Sequence, residues 1–147
     1  MKKILVSFFA ILLLGAVVSC SSVPQKNPSL QRQWMLVSFD QFSKFSKEEL
    51  VRNKAEINLT GIMEKGKIKG GANMGCNSMF FTSEFKTNGK VKISGVGSTL
   101  KACQNMELEN AFIQKFDKMT NYSIEGHFLT LSDDNGNSMK FLAADWD

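Results

Sequence analysis

The chain has 147 residues, 18 basic against 14 acidic side chains, a formal charge of +4, three cysteines and one histidine. That length fits a single small domain after any export segment is removed. One histidine and no paired ligands at zinc spacing argue against a metal centre, and no phosphate-binding glycine loop, dinucleotide fingerprint or paired catalytic carboxylates occur.

At the N-terminus, Lys2 and Lys3 precede an apolar run over residues 4–18, interrupted only by Ser7 and Gly15. The run is shorter than the roughly 20 residues a membrane-spanning helix needs. Its place behind two lysines predicts a secretory signal peptide over residues 1–19. It ends Val17-Val18-Ser19-Cys20, which resembles a bacterial lipobox. The resemblance implies cleavage before Cys20 and a lipid on its thiol, and therefore a partner in the membrane. With Ser21 rather than an acidic residue next, similarity to Gram-negative lipoproteins implies the outer membrane. Residues 20–31 hold both prolines, Pro24 and Pro28, and read as the lipidated N-terminus and a solvated tether. Residues 32–147 are then the domain.

Removing nineteen of the 147 residues leaves 128, and two of the 18 basic residues go with them, so the charge falls from +4 to +2. So small an excess does not point to nucleic acid, and no nucleic-acid partner is expected. Lys65, Lys67 and Lys69, and again Lys86, Lys90 and Lys92, fall at spacings that put each set on one face of a strand, read as a solvated outer face in preference to a binding stripe.

From Gln33 onward the apolar residues alternate. Trp34, Leu36 and Ser38 share one face of a first strand and Met35, Val37 and Phe39 the other, which predicts a central strand covered on both sides. Ser46 with Glu49 three residues on has the form of a capping box and marks a short helix or turn. Strands follow over residues 55–59, 67–71, 79–85 and 90–93, with turns at Gly61, at Glu64-Lys65-Gly66 and at Asn88-Gly89. The period then changes. Leu108, Ala111, Phe112, Phe116 and Met119 line one face of a helix over residues 107–119, with Asn105 as its expected N-cap. Alternation returns over residues 122–124, 128–131 and 139–142, joined by turns at Glu125-Gly126-His127 and Asp134-Asn135-Gly136-Asn137. The pattern predicts an α+β fold, a small, partly open antiparallel β-barrel or curved sheet of about eight strands packed on one helix.

Several motifs, in order, are similar to those of the META domain (HslJ-like) family of bacterial lipoproteins. They are Trp34 in the opening strand, the turn Gly70-Gly71-Ala72-Asn73-Met74-Gly75-Cys76-Asn77, and the segment Thr99-Leu100-Lys101-Ala102-Cys103. The glutamate opening the helix follows, matched by Glu107 or, in better register with Phe112, by Glu109, then Leu129-Thr130-Leu131, Asn135-Gly136 and the closing strand at Met139-Lys140-Phe141. The resemblance spans nearly the whole mature chain. It implies scaffold roles for Trp34, Gly75, Asn77, Thr99 and Glu109, and a role in heat-shock or antibiotic tolerance. It brings no catalytic residues with it. One departure stands out: Phe80-Phe81-Thr82-Ser83 stands where the family tends to have a glycine and then a tyrosine, with a bulky Phe81 where glycine is usual.

With Cys20 assigned to the lipid, Cys76 and Cys103 remain. They form either a disulfide, which an oxidising compartment permits, or two separate buried thiols. Phe80 and Phe81 read either as core residues or as an apolar binding stripe. His127 reads as a solvated turn residue. The expected function is a non-enzymatic, envelope-anchored binding or stress-response domain without cofactor or metal. A pilotin-like chaperone for an envelope protein or lipid, and a thiol-disulfide catalyst using Cys76 and Cys103, are the alternatives. The oligomeric state is left open.

Overall fold

The structure, a computed structural model, describes residues 27–39 and 44–146. The expected signal peptide, Cys20 and most of the expected tether lie outside the described residues. The elements run β1 (Gln33–Phe39), α1 (Lys47–Arg52), β2 (Glu56–Asn58), β3 (Met63–Glu64), β4 (Lys67–Asn73), β5 (Ser78–Phe85), β6 (Val91–Ser98), α2 (Glu107–Phe116), β7 (Asn121–Glu125), β8 (Phe128–Ser132) and β9 (Ser138–Ala143).

All strand pairings named here are antiparallel, and the order across the sheet is β6-β5-β4-β2-β1-β9-β8-β7, with β3 added beside β4. The turns that link neighbours use the residues such turns require. Lys65 and Gly66 both have positive φ (51° and 77°), as a two-residue hairpin demands. The two ends of the curled sheet meet at one point. Lys90 bridges Asn121, the Val91 amide donates to the Thr120 carbonyl at 2.9 Å, and the Tyr122 amide donates to the Gly89 carbonyl at 2.7 Å. The sheet is therefore stitched shut near the start of β6 and β7 and open elsewhere, the partly open barrel that alternation predicted.

The apolar face of α2, with Leu108, Phe112 and Phe116, belongs to the same core as the inner faces of the strands. Phe112 stacks on Phe116, and Phe116 meets Phe81 of β5 edge to face with ring centres 4.8 Å apart. Trp34 is fully buried, and its indole N–H donates to the Leu30 carbonyl at 3.0 Å, which satisfies its one polar atom. Among the described residues, every strand pairing and every core residue lies between Leu30 and Ala143. A chain beginning at residue 21 thus keeps all of these elements.

Several expectations need correction. The first strand is covered on one side only: Met35 is exposed and Val37 half-buried. A bulge between Leu36 and Ser38 shifts the alternation by one residue, so Phe39 rather than Ser38 joins Trp34 and Leu36 in the core. The short helix marked by Ser46 forms, which makes two helices among the described residues: Ser46 Oγ accepts from the Glu49 amide at 3.2 Å and opens α1. The two-residue β3 brings the strands among the described residues to nine. α2 ends at Phe116, three residues early, and its N-cap is Met106, although Asn105 Oδ1 does accept from the Glu107 amide at 3.0 Å. The tether ends sooner than residue 31. Leu30 is buried, and Gln31 donates to the Gly61 carbonyl at 2.6 Å. His127 is half-buried rather than solvated, its ring stacked on Trp146.

Candidate functional site

At one end of the half-barrel, β4, β5, β6 and the start of α2 converge. Beyond β4 the chain must reverse sharply. Gly75 takes φ 109°, where a side chain would run into Asn53, and Asn73 Oδ1 accepts from the Gly75 amide at 2.7 Å. This turn delivers Cys76 and Asn77 to the mouth of β5. After β6 the chain returns past them as Thr99 to Cys103.

Cys76 and Cys103 are joined as a disulfide, with Cα atoms 6.1 Å apart and a sequence separation of 27. On a chain-entropy account a loop of that size stabilises by about 3 to 4 kcal/mol. Of the two readings left open, the bridge holds.

Beside the bridge lies a buried polar clasp. Asn77 donates twice to Glu109, from its amide to Oε2 and from Nδ2 to Oε1, both at 2.7 Å. Asn77 Oδ1 accepts from the Thr99 hydroxyl and from the Lys101 amide, both at 2.8 Å. Thr99 Oγ1 in turn accepts from the Ser78 amide at 3.2 Å. Glu109 is only 2% exposed, and it sits in the first turn of α2, where the helix dipole favours a negative charge. The side-chain amide of Asn77 is therefore saturated, and both carboxylate oxygens of Glu109 have a donor. The arrangement pins α2 to the head of β5.

The residues expected to act together thus divide. Gly75, Asn77, Thr99 and Glu109 meet in this one cluster, with the disulfide beside them. Trp34 stands apart in the core. Phe80 and Phe81 do not form a stripe, because they point to opposite faces of β5: Phe81 is 4% exposed and Phe80 is 59% exposed. Each ring lies over a cross-strand glycine, Phe81 over Gly70 and Phe80 over Gly97. A bulky residue at 81 is accommodated because Gly70 lacks a side chain. Lys101 enters the clasp only through its backbone, which no side-chain pattern announces.

No group of three or more potential metal ligands occurs among the described residues. No described helix is long and apolar enough to cross a membrane.

A curled antiparallel sheet around one helix, clasped by a disulfide and a buried Asn–Glu pair, defines a small α+β half-barrel domain. The chain belongs to the META domain family, whose model matches residues 28–146. It is similar to the NMR structure of a protein from Burkholderia xenovorans, at 17% identity and a TM-score of 0.61, covering 87% of this chain and 97% of that one. It is also similar to the crystal structure of a DUF4847 family protein from Bacteroides vulgatus, at 12% identity and a TM-score of 0.53, covering 80% and 96% respectively. At these identities the likeness is one of fold. No curated protein matches the chain.

Proposed function

We propose that this protein is a META-domain lipoprotein of the bacterial envelope, anchored by a lipid on Cys20 at the outer membrane, and that it acts by binding within a stress response rather than by catalysis. The observation that carries the reading is the clasp. The polar residues shared with the family motif, Asn77, Thr99 and Glu109, hydrogen-bond one another and are turned to scaffolding. A disulfide beside them suits a compartment outside the reducing cytoplasm. Two or three acyl chains on Cys20 would hold the domain firmly at a bilayer, since each buried methylene contributes about 0.8 kcal/mol.

The test is intact mass of the protein purified from envelopes. A chain beginning at Cys20 with added acyl mass is expected, and Cys20→Ala should release the domain from the membrane fraction. An unacylated chain, or one beginning elsewhere, sinks the anchoring claim. Deletion of the gene with unchanged tolerance to heat and antibiotics sinks the stress role.

A further inference from the structure

Opposite in character to the clasp is an open groove of about 1170 Å³ along the β3–β4 hairpin. Lys65, Lys67 and Lys69 line it, with Glu64 as the one acidic residue among the lining side chains. Ile62, 67% exposed, lines it as well, and Phe85 and Tyr122 contribute aromatic surface. The two ion pairs among the described residues, Arg32–Asp145 and Lys44–Glu107, involve none of these lysines.

The charge there is not a local accident. Residues 63–98 carry six lysines against two glutamates, whereas the rest of the chain from Cys20 onward carries ten basic against twelve acidic residues. The mature protein's excess of +2 is thus a strongly basic β3–β6 segment set against a mildly acidic remainder. Such a division orients a domain in the field of a charged surface.

The groove also lies where the chain enters the fold, since Asn27 is one of its lining residues. Six residues separate Asn27 from Cys20. Even fully extended, they reach only about 25 Å. A lipid on Cys20 therefore keeps this groove close to the bilayer, and keeps it there whichever way the domain tumbles.

We propose that the groove is a membrane-facing docking site for anionic glycerophospholipid headgroups. Lys65, Lys67 and Lys69 meet the phosphates, and Ile62 enters the interface beside them. The proposal rests on the anchored reading for its distance from the membrane. The exposed Ile62 is what favours a lipid surface over a free polyanion, because a soluble phosphate has no use for an apolar neighbour.

The experiment uses the unlipidated chain, residues 21–147, so acylation is not needed and a failure of the anchor reading shows separately in the intact mass. Sedimentation with vesicles of phosphatidylcholine, alone or with about one third phosphatidylglycerol, measures binding. Binding to the anionic vesicles only is expected. At about fivefold per lysine, Lys65→Glu with Lys69→Glu should weaken it at least twentyfold. The paired control, Lys118→Glu with Lys140→Glu, makes the same change of net charge on exposed positions elsewhere and should change binding less than about threefold. Ile62→Ser should weaken vesicle binding further. Absence of binding by the wild-type chain overturns the proposal, and so does equal loss in both double variants, which reduces the effect to overall charge. Vesicle binding that glycerol 3-phosphate displaces and that Ile62→Ser leaves unchanged assigns the groove to a free phosphate and overturns the lipid reading.

Discussion

The two ends of this half-barrel treat their polar side chains in opposite ways. At the clasped end, Asn77 and Glu109 are buried, Thr99 bonds to Asn77 at the exposed edge, and all three sit beside a disulfide. At the groove end, three lysines project into solvent outside any ion pair among the described residues, beside an exposed isoleucine. The comparison separates two kinds of motif. Polar residues used up inside the fold make it stable, and their loss should be felt in unfolding. Polar residues left outward cost little stability to change, and their loss should be felt only in binding.

The largest effect should come from breaking the clasp. Asn77→Ala removes the Nδ2 donor to Glu109 and the Oδ1 acceptor for Thr99 and Lys101, so three polar groups lose a partner while the backbone amide of residue 77 still donates to Glu109. Stability should fall by about 3 to 5 kcal/mol, measured by urea unfolding of the oxidised domain. A loss below about 1 kcal/mol would mean that water or another donor replaces Asn77, and that the clasp is not what holds α2 down. Next in size is the disulfide. Cys76→Ser with Cys103→Ser should cost about 3 kcal/mol, while binding to anionic vesicles is retained. Loss of vesicle binding in the folded double variant would join the two ends and break the comparison.

A middle-sized effect lies in the sheet that connects them. Gly70→Ala places a methyl 2.5 Å from the Phe81 ring, which is packed in the core and cannot yield, so a cost of about 1 to 3 kcal/mol is expected. Gly97→Ala meets the Phe80 ring in the same way, but Phe80 is exposed and can swing aside into water. That variant should cost less than about 1 kcal/mol. Equal costs would show that the outer ring is as firmly seated as the inner one.

Much of this was legible in the sequence, and the failures share a physical cause. Alternation, the Asn88-Gly89 turn and the period of Leu108, Phe112 and Phe116 located eight strands and the main helix. The disulfide stayed open because spacing along a chain does not fix the distance between Cα atoms. Strict alternation places Phe39 on the outer face, but a bulge after Leu36 breaks the two-residue period, and a bulge leaves no mark in composition. β3 was missed because two residues carry no period at all. The clasp was half visible: Asn77, Thr99 and Glu109 belong to a recognisable motif, but Lys101 joins through backbone atoms that every residue has. The groove lysines read as a solvated face. What changes that reading is the company of Ile62 and Asn27, which only the fold supplies.

The smallest effect concerns the segment that leads from the groove into β1. Arg32 donates from Nε to Asp145 at 3.1 Å and approaches it through Nη2 at 2.7 Å, tying this entry segment to the C-terminal end of the domain. The hydrogen bond from Arg32 holds the Asp145 carboxyl below its ordinary value of 3.8. Because the folded value is the lower one, the pair stabilises the fold fully above pH 3.8 and loses that contribution as pH falls through the folded value. Asp145→Asn should therefore lower the urea midpoint slightly at neutral pH, and the difference from the wild type should vanish in strong acid. The pair is exposed and screened, so the shift should also shrink in high salt. A difference that persists in acid would mean that Asp145 acts through packing near Trp146 rather than through its charge. In that case the groove's rim is held as firmly as the clasp, and the contrast between the two ends narrows.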